Sequence, residues 1–410
     1  MILGRQPALG IAELESLYGA DKVRPVGESA AWLSVDPCLV AFNRLGGTVK
    51  FCKILTTLDT TNWGAIEKFL VQVSPQQAAT MPEGKMTLGL SVYDMSVTPS
   101  RLNATGLSIK KAIRSVSSRS VRLVPNNDAA LSSAQVYHNH LTSDRAWELI
   151  FVPDGGNKTI IAQTVRVQDI NAYTHRDRER PKRDSRVGML PPKLAQTIIN
   201  LATGPLPADQ LSSICDIPAD ASVQSPNLGQ TVLDPFCGTG VVLQEAILMG
   251  YDVMGSDLEP RMIDYSRQNL DWLDQQFRTQ VRLTSLEAGD ATHYQWPQKF
   301  NFVASETYLG RPFTAQPSAE ILAQTITECN LITKKFLRNI AAQTSVGTRF
   351  CLALPAWHIG QNQFRHLPLI DQIADLGYNR VSFEHANGED LLYHREDQIV
   401  ARQLLVLTRK

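Results

Sequence analysis

Apolar and polar positions along this chain follow two periods, and the switches between them mark elements. "PALGIAELESLYG" (7–19) has apolar positions at helical spacing and closes on glycine, and "AAWLSVD" (30–36) reads as a strand. Short strands then alternate with one amphipathic helix through "KMTLGLSVYD", "LSIKKAIRSV", "SVRLVPNN" and "AWELIFVPDGGNKTIIAQTVRV", whose Asp-Gly-Gly turn predicts a hairpin. "THRDRERPKRDSR" (174–186) breaks the pattern: it has six Lys or Arg, three Asp or Glu and no aliphatic residue, so a solvated connector is expected. A helix announced by a proline pair follows in "VGMLPPKLAQTIINLA". From Thr231 onward apolar strands alternate with helices in the rhythm of a parallel sheet, and "LLYHREDQIVARQLLVLTRK" reads as the second half of a closing hairpin.

The 410 residues suffice for two to four domains with real cores. Forty basic and forty acidic residues cancel, so any nucleic-acid footprint must be local. Cys38, Cys52, Cys215, Cys237, Cys329 and Cys351 show no CxxC pair and no metal-ligand spacing, which points to reduced thiols and to no metal. His138 and His140 have no third ligand spaced near them. With no basic flank leading into an apolar run and no apolar stretch of about 18 residues, the expected location is cytoplasmic.

Chemistry concentrates at three strand ends. "TVLDPFCGTGVVLQEAILMG" is a strand, a glycine turn and a helix start, whose N–H groups and dipole suit an anionic ligand group. A dinucleotide fingerprint needs a third glycine where Leu243 stands. The next strand ends at Asp257, suited to a ribose diol, and "VRLTSLEAGDA" delivers Asp290, suited to an adenine amine. That succession resembles the S-adenosylmethionine-dependent RNA methyltransferases. "DPFCGTG" is similar to the form used by enzymes that methylate exocyclic amines of nucleobases. The resemblance implies that Asp234, Gly238, Thr239 and Gly240 line the methionine part, Asp257 the ribose and Asp290 the adenine. Pro235, Phe236, Leu258 and Ala291 complete the implied cofactor set.

In a doubly wound sheet, ligands sit at the carboxyl ends of the strands. "FNFVAS" ends there at Glu306. Amino-methylating enzymes carry at this point an Asp or Asn, two prolines and an aromatic ring; here "SETYLG" stands instead. Aligned from the glycine, Glu306 takes the acidic place, and Thr307 and Tyr308 the proline places. Aligned on the ring, Ser305 takes the acidic place. The first register keeps an acid, and the catalytic candidates are Glu306, Tyr308 and Ser305.

"LGRQPALGIAELESLYG", "SIKKAIRS", "SVRLVPN", "ALSSAQVYHNHL", "WELIFV", the connector with its following helix, and "LLYHREDQIVARQLLVL" resemble the tRNA guanosine N2-methyltransferase family that acts at tRNA position 10. The resemblance implies an α/β chain: a ferredoxin-like α+β unit at 1–55, a THUMP RNA-binding domain at 56–170, a basic connector at 171–190 and a Rossmann-like methyltransferase domain at 191–410. It also implies tRNA as partner, with a small activating subunit as a further candidate. Lys110, Lys111, Arg114, Arg119 and Arg122 concentrate positive charge on one helix and the next strand, and the connector adds Arg176, Arg178, Arg180, Lys182 and Arg183. Two alternatives stay open: an rRNA or DNA amino-methyltransferase, and a tRNA-binding protein whose methyltransferase domain is degenerate.

Overall fold

The computed structural model describes residues 1–184, 190–206, 229–279, 282–313, 315–360, 363–396 and 398–410; Cys215 and residues 185–189 of the connector lie outside them. Contacts divide the chain into two units, one of Met1–Pro7, Arg24–Leu33 and Thr48–Ala172, the other of Ala8–Val23, Ser34–Gly47 and Tyr173–Lys410.

The first unit is built on strands β1 (Ile2–Leu3), β2 (Val23–Val26), β3 (Ala30–Leu33), β4 (Thr48–Leu58), β5 (Met86–Val92), β6 (Val121–Leu123), β7 (Ala146–Pro153) and β8 (Thr159–Val167). They form one sheet in the order β2-β3-β1-β4-β8-β7-β5-β6. The Asp-Gly-Gly turn joins β7 and β8 as the sequence predicts, with Gly155 and Gly156 at φ 70° and 53°. Helices α2 (Trp63–Ala79) and α3 (Pro99–Val116) follow β4 and β5, and the short α4 (Ser133–His138) precedes β7. Thr98 caps α3 by accepting from the Arg101 N–H, and Leu102, Ile109 and Ile113 pack with Met86, Leu88 and Leu90 of β5 in the core.

The second unit carries α1 (Pro7–Tyr18), α5 (Ile170–Arg178), α6 (Pro192–Thr203), α7 (Val241–Leu248), α8 (Pro260–Phe277) and α9 (Ala319–Ala341). Its strands are β9 (Thr231–Asp234), β10 (Asp252–Asp257), β11 (Leu283–Ala288), β12 (Phe302–Glu306), β13 (Arg349–Gly360), β14 (Gln363–Arg365), β15 (Tyr378–Arg380), β16 (Leu392–Tyr393) and β17 (Val400–Arg409). The sheet runs β11-β10-β9-β12-β13-β17-β15. The first five strands pair in parallel, and antiparallel β17 lies between β13 and β15. The strand order reverses beside β9, so the carboxyl ends of β9, β10 and β12 open on one crevice.

The division differs from the one expected in the first half of the chain. The boundary between 55 and 56 falls inside β4, and α1 with residues 34–47 packs in the second unit. Buried Glu13 of α1 accepts from the N–H groups of Gly46 and Gly47 (2.9 and 2.8 Å) and from Asn200 Nδ2 of α6 (2.7 Å). The Gly-Gly pair is required by close approach: a Cβ on Gly47 would stand 2.6 Å from Gly10 Cα, and one on Gly46 would stand 1.9 Å from the Lys193 carbonyl. Burial raises the Glu13 pKa and these hydrogen bonds pull against it, leaving it up.

Candidate functional site

The strand β9 is buried along its whole length and stops at Asp234, after which Gly238 (φ 51°) and Gly240 (φ 83°) turn the chain into α7. The turn offers fewer free N–H groups than its glycines lead one to expect. The Phe236 N–H bonds Asp234 Oδ1 (3.2 Å), the Gly238 N–H bonds Asp257 Oδ2 (2.8 Å), and the N–H groups of Cys237 and Gly240 go to the carbonyls of Ser256 and Cys237. Four N–H groups of the turn are therefore spent on the protein's own acceptors. What the loop presents instead is negative charge.

Asp234 is buried, and burial pushes its pKa up to about 7; hydrogen bonds from Ser305 Oγ (2.6 Å) and Phe236 N–H oppose this, while Asp257 and Glu306 add to it. Asp257 is raised by burial against hydrogen bonds from Glu259 and Gly238. Asp234 thus feels the carboxylates of Asp257 and Glu306 from the ends of β10 and β12, which favours a cationic ligand. Space is also available: nothing lies within 4 Å of where a Gly238 Cβ would stand, and Leu258, next to Asp257, is 66% exposed. A sulfonium cofactor with an amino-acid ammonium fits this donor set; a pyrophosphate does not.

At the end of β11, Asp290 is partly exposed and accepts from the Thr292 N–H (2.9 Å). Burial raises its pKa, but the Thr292 hydrogen bonds and the charges of His293 and Lys335 outweigh it and leave the group low. Ala291 beside it is buried, and its carbonyl accepts from Asn339 Nδ2 (3.0 Å). Phe236 packs edge-on to Phe336 of α9 at 5.1 Å.

On β12 neighbouring side chains face opposite ways, and the structure separates the two registers of "SETYLG". Ser305 is fully buried and donates to Asp234, so it acts on the glycine loop. Glu306 accepts from Nε of Arg402 on β17, with side chains 15% and 7% exposed. Arg402 went unnoticed in the sequence; its signal is a charge just ahead of the apolar run Leu404–Leu407. Thr307 turns back to the Ala353 carbonyl through its N–H (3.1 Å), and half-buried Tyr308 packs against the core, where burial first and then the Glu328 carboxylate raise its pKa.

Two further residues were missed. Ser266 Oγ donates to the Gly238 carbonyl (2.7 Å) and Asn269 Nδ2 to the Thr239 carbonyl (2.8 Å), both from α8. Their signal is two polar positions inside the buried stripe Met262, Ile263, Ser266, Asn269, Leu270 and Leu273.

The connector is less solvated than its composition leads one to expect. Arg176 pairs with Glu245 of α7 (2.8 Å, side chains 12% and 1% exposed), and Arg180 is buried with Nε and Nη1 lacking hydrogen-bond partners. Lys182 lies over the Tyr265 ring at 5.3 Å. Arg178 and Arg183 are exposed. A run of charge whose partners lie elsewhere in the chain cannot be told from a solvated one by composition. In the first unit Lys111, Arg114 and Arg122 are exposed and Lys110 partly so, while Arg122 bonds Asn139 (2.8 Å) and Arg119 bonds the Met81 carbonyl (3.0 Å). Among the described residues no cluster could hold a metal ion, none of the cysteines is in a disulfide, and no helix is long and apolar enough to cross a membrane.

Residues 227–367 match the family described as a methyltransferase domain, and residues 108–268 match one described as a DNA methylase. Residues 227–367 thus carry a methyltransferase domain. A curated relative, the tRNA (guanine(10)-N2)-dimethyltransferase of Methanothermobacter thermautotrophicus, is 27% identical over 170 residues, 41% of this chain and 39% of the relative. The match thus spans about two fifths of that protein's length. Solved structures with partial likeness include a glycopeptide N-methyltransferase complexed with S-adenosyl-L-methionine (12% identity, 45% of this chain and 82% of that one, TM-score 0.30). An rRNA methylase from Streptococcus thermophilus is another (13% identity, 44% and 88%, TM-score 0.28).

Proposed function

We propose that this protein transfers a methyl group from S-adenosylmethionine to the exocyclic N2 amine of a tRNA guanosine, at position 10. The observation that carries the reading is the placing of Asp234, Asp257 and Glu306 at the ends of β9, β10 and β12 around a glycine loop, an arrangement that suits a cation. The tRNA assignment is supported by the name of the curated relative and by the basic face of α3 in the first unit, which is proposed to be a THUMP domain. The cofactor, when bound, supplies a methyl group on a good leaving group. The chain's own task is then placement. Asp234 and Asp257 hold the positive end of the donor and its ribose, and Asp290 accepts from the adenine amine. Glu306 accepts an N–H from the target amine, and Arg402 holds that carboxylate in place, leaving its other oxygen for the substrate. Lys110, Lys111 and Arg114 neutralise phosphates and carry no base information.

Incubating the full chain with S-adenosylmethionine and unmodified tRNA, then analysing nucleosides by mass spectrometry, tests this. N2-methylguanosine is expected. The DNA-methylase match favours a second reading, an amino-methyltransferase acting on another nucleic acid, and methyl-adenine or methyl-cytosine from DNA or rRNA would establish it. Cofactor binding with no methylated nucleoside from any of these would point to a degenerate tRNA-binding protein.

A further inference from the structure

Asn269 lies on α8 without exposure and makes three hydrogen bonds to backbone. Its Nδ2 donates to the carbonyls of Thr239 (2.8 Å) and Lys182 (2.9 Å), and its Oδ1 accepts from the Lys182 N–H (2.9 Å). Both backbone groups of one connector residue are thus held by the same amide that holds the glycine loop. Three positions earlier on the same helix face, Ser266 holds the preceding loop carbonyl. The connector is fastened on either side of Lys182 as well: Arg176 to Glu245 of α7, the helix that leaves the loop, and Asp184 to Arg261 of α8 (3.1 Å).

We propose that Asn269 is a positioning residue of the cofactor loop, and that through it residues 173–184 are a working part of the cofactor site. The proposal rests on reading 234–240 as that loop. One planar amide has one best orientation, so a connector that moves draws the amide off Thr239, and a loop that closes on its ligand draws the connector tight. Buried backbone groups left unpaired by either movement are costly, which makes the two states discrete. Cofactor binding and connector order are therefore coupled, and the coupling is reciprocal.

Hydrogen exchange on the full chain, with and without S-adenosylmethionine, tests this together with calorimetry. The cofactor is expected to slow exchange of the segment 173–184, the Lys182 amide included, by about fivefold or more. Asn269→Leu, which keeps volume and removes all three bonds, should weaken cofactor binding about tenfold and abolish that protection. Should Asn269→Leu not fold, Arg261→Ala loosens the connector from the exposed side without touching the loop, and is expected to weaken binding two- to threefold and reduce the protection. Cofactor binding by the wild type with unchanged connector exchange would overturn the proposal and leave the site reading standing. Absence of cofactor binding by the wild type would overturn the site reading, and the proposal with it.

Discussion

The glycine loop and the connector are both short polar stretches that lie on α8, yet they relate to their sequences in opposite ways. In the loop, strand, glycines and acid sit at fixed spacing, and the turn forms where the pattern puts it. In the connector, a run of charge that reads as solvated is folded inward onto Glu245, Asn269 and Tyr265. A turn is specified by residues next to one another. The fate of a charge is specified by whatever the fold brings beside it.

The largest effect that would break this comparison is at the end of β12. Glu306→Ala should cut single-turnover methylation by about 10² to 10⁴ while calorimetry finds cofactor affinity kept, because the contact is made to the other substrate. Glu306→Gln should fall less. Methylation at the wild-type rate would reduce the carboxylate to the Arg402 partner it is in the structure.

Next in size, Arg176→Ala should cost about 3 to 5 kcal/mol in denaturant unfolding, because it strips a buried carboxylate of its cation. Reversing Lys110, Lys111 and Arg114 together should leave stability almost unchanged, raise the KM for tRNA and lower its salt slope by up to about 3. Equal stability loss from both sets would erase the distinction between buried and solvated charge.

Asp257→Ala should weaken cofactor binding by about 1.5 to 3 kcal/mol, since both the ribose acceptor and the partner of the Gly238 N–H are lost. Calorimetry at fixed pH measures it, and equal affinities would remove Asp257 from the site.

The smallest effect is in pH. Asp234 stands at about 7 in the fold against 3.8 for the free side chain, so the ligand-free protein loses stability as pH rises through that window. A cation prefers the ionised form, so affinity for S-adenosylmethionine should rise by about tenfold between pH 6 and 8 and level off above. Asp234→Asn should flatten the curve, and a curve unchanged by that substitution would assign the titration elsewhere.

Cutting the chain at the connector would test the division itself. A fragment starting at residue 187 lacks α1, residues 34–47 and the strap on the glycine loop, all of which pack in the second unit.

The sequence by itself determined the β7–β8 hairpin, the parallel strands from Thr231, the loop conformation at Gly238 and Gly240, and the strand ends that carry Asp234, Asp257 and Glu306. Each follows from periodicity or from a backbone dihedral, properties carried by neighbouring residues. Only the tertiary structure decided that four of the loop's N–H groups are spent on the protein's own acceptors, that Ser305 bonds Asp234 while Glu306 bonds Arg402, and that Asn269 holds the Thr239 carbonyl. It also decided that α1 completes the second unit through Glu13, Gly46 and Gly47. Apart from the local bonds within the turn, these depend on contacts between residues 19 to 187 positions apart, where a hydrogen bond is set by distance in space and no local pattern records its partner.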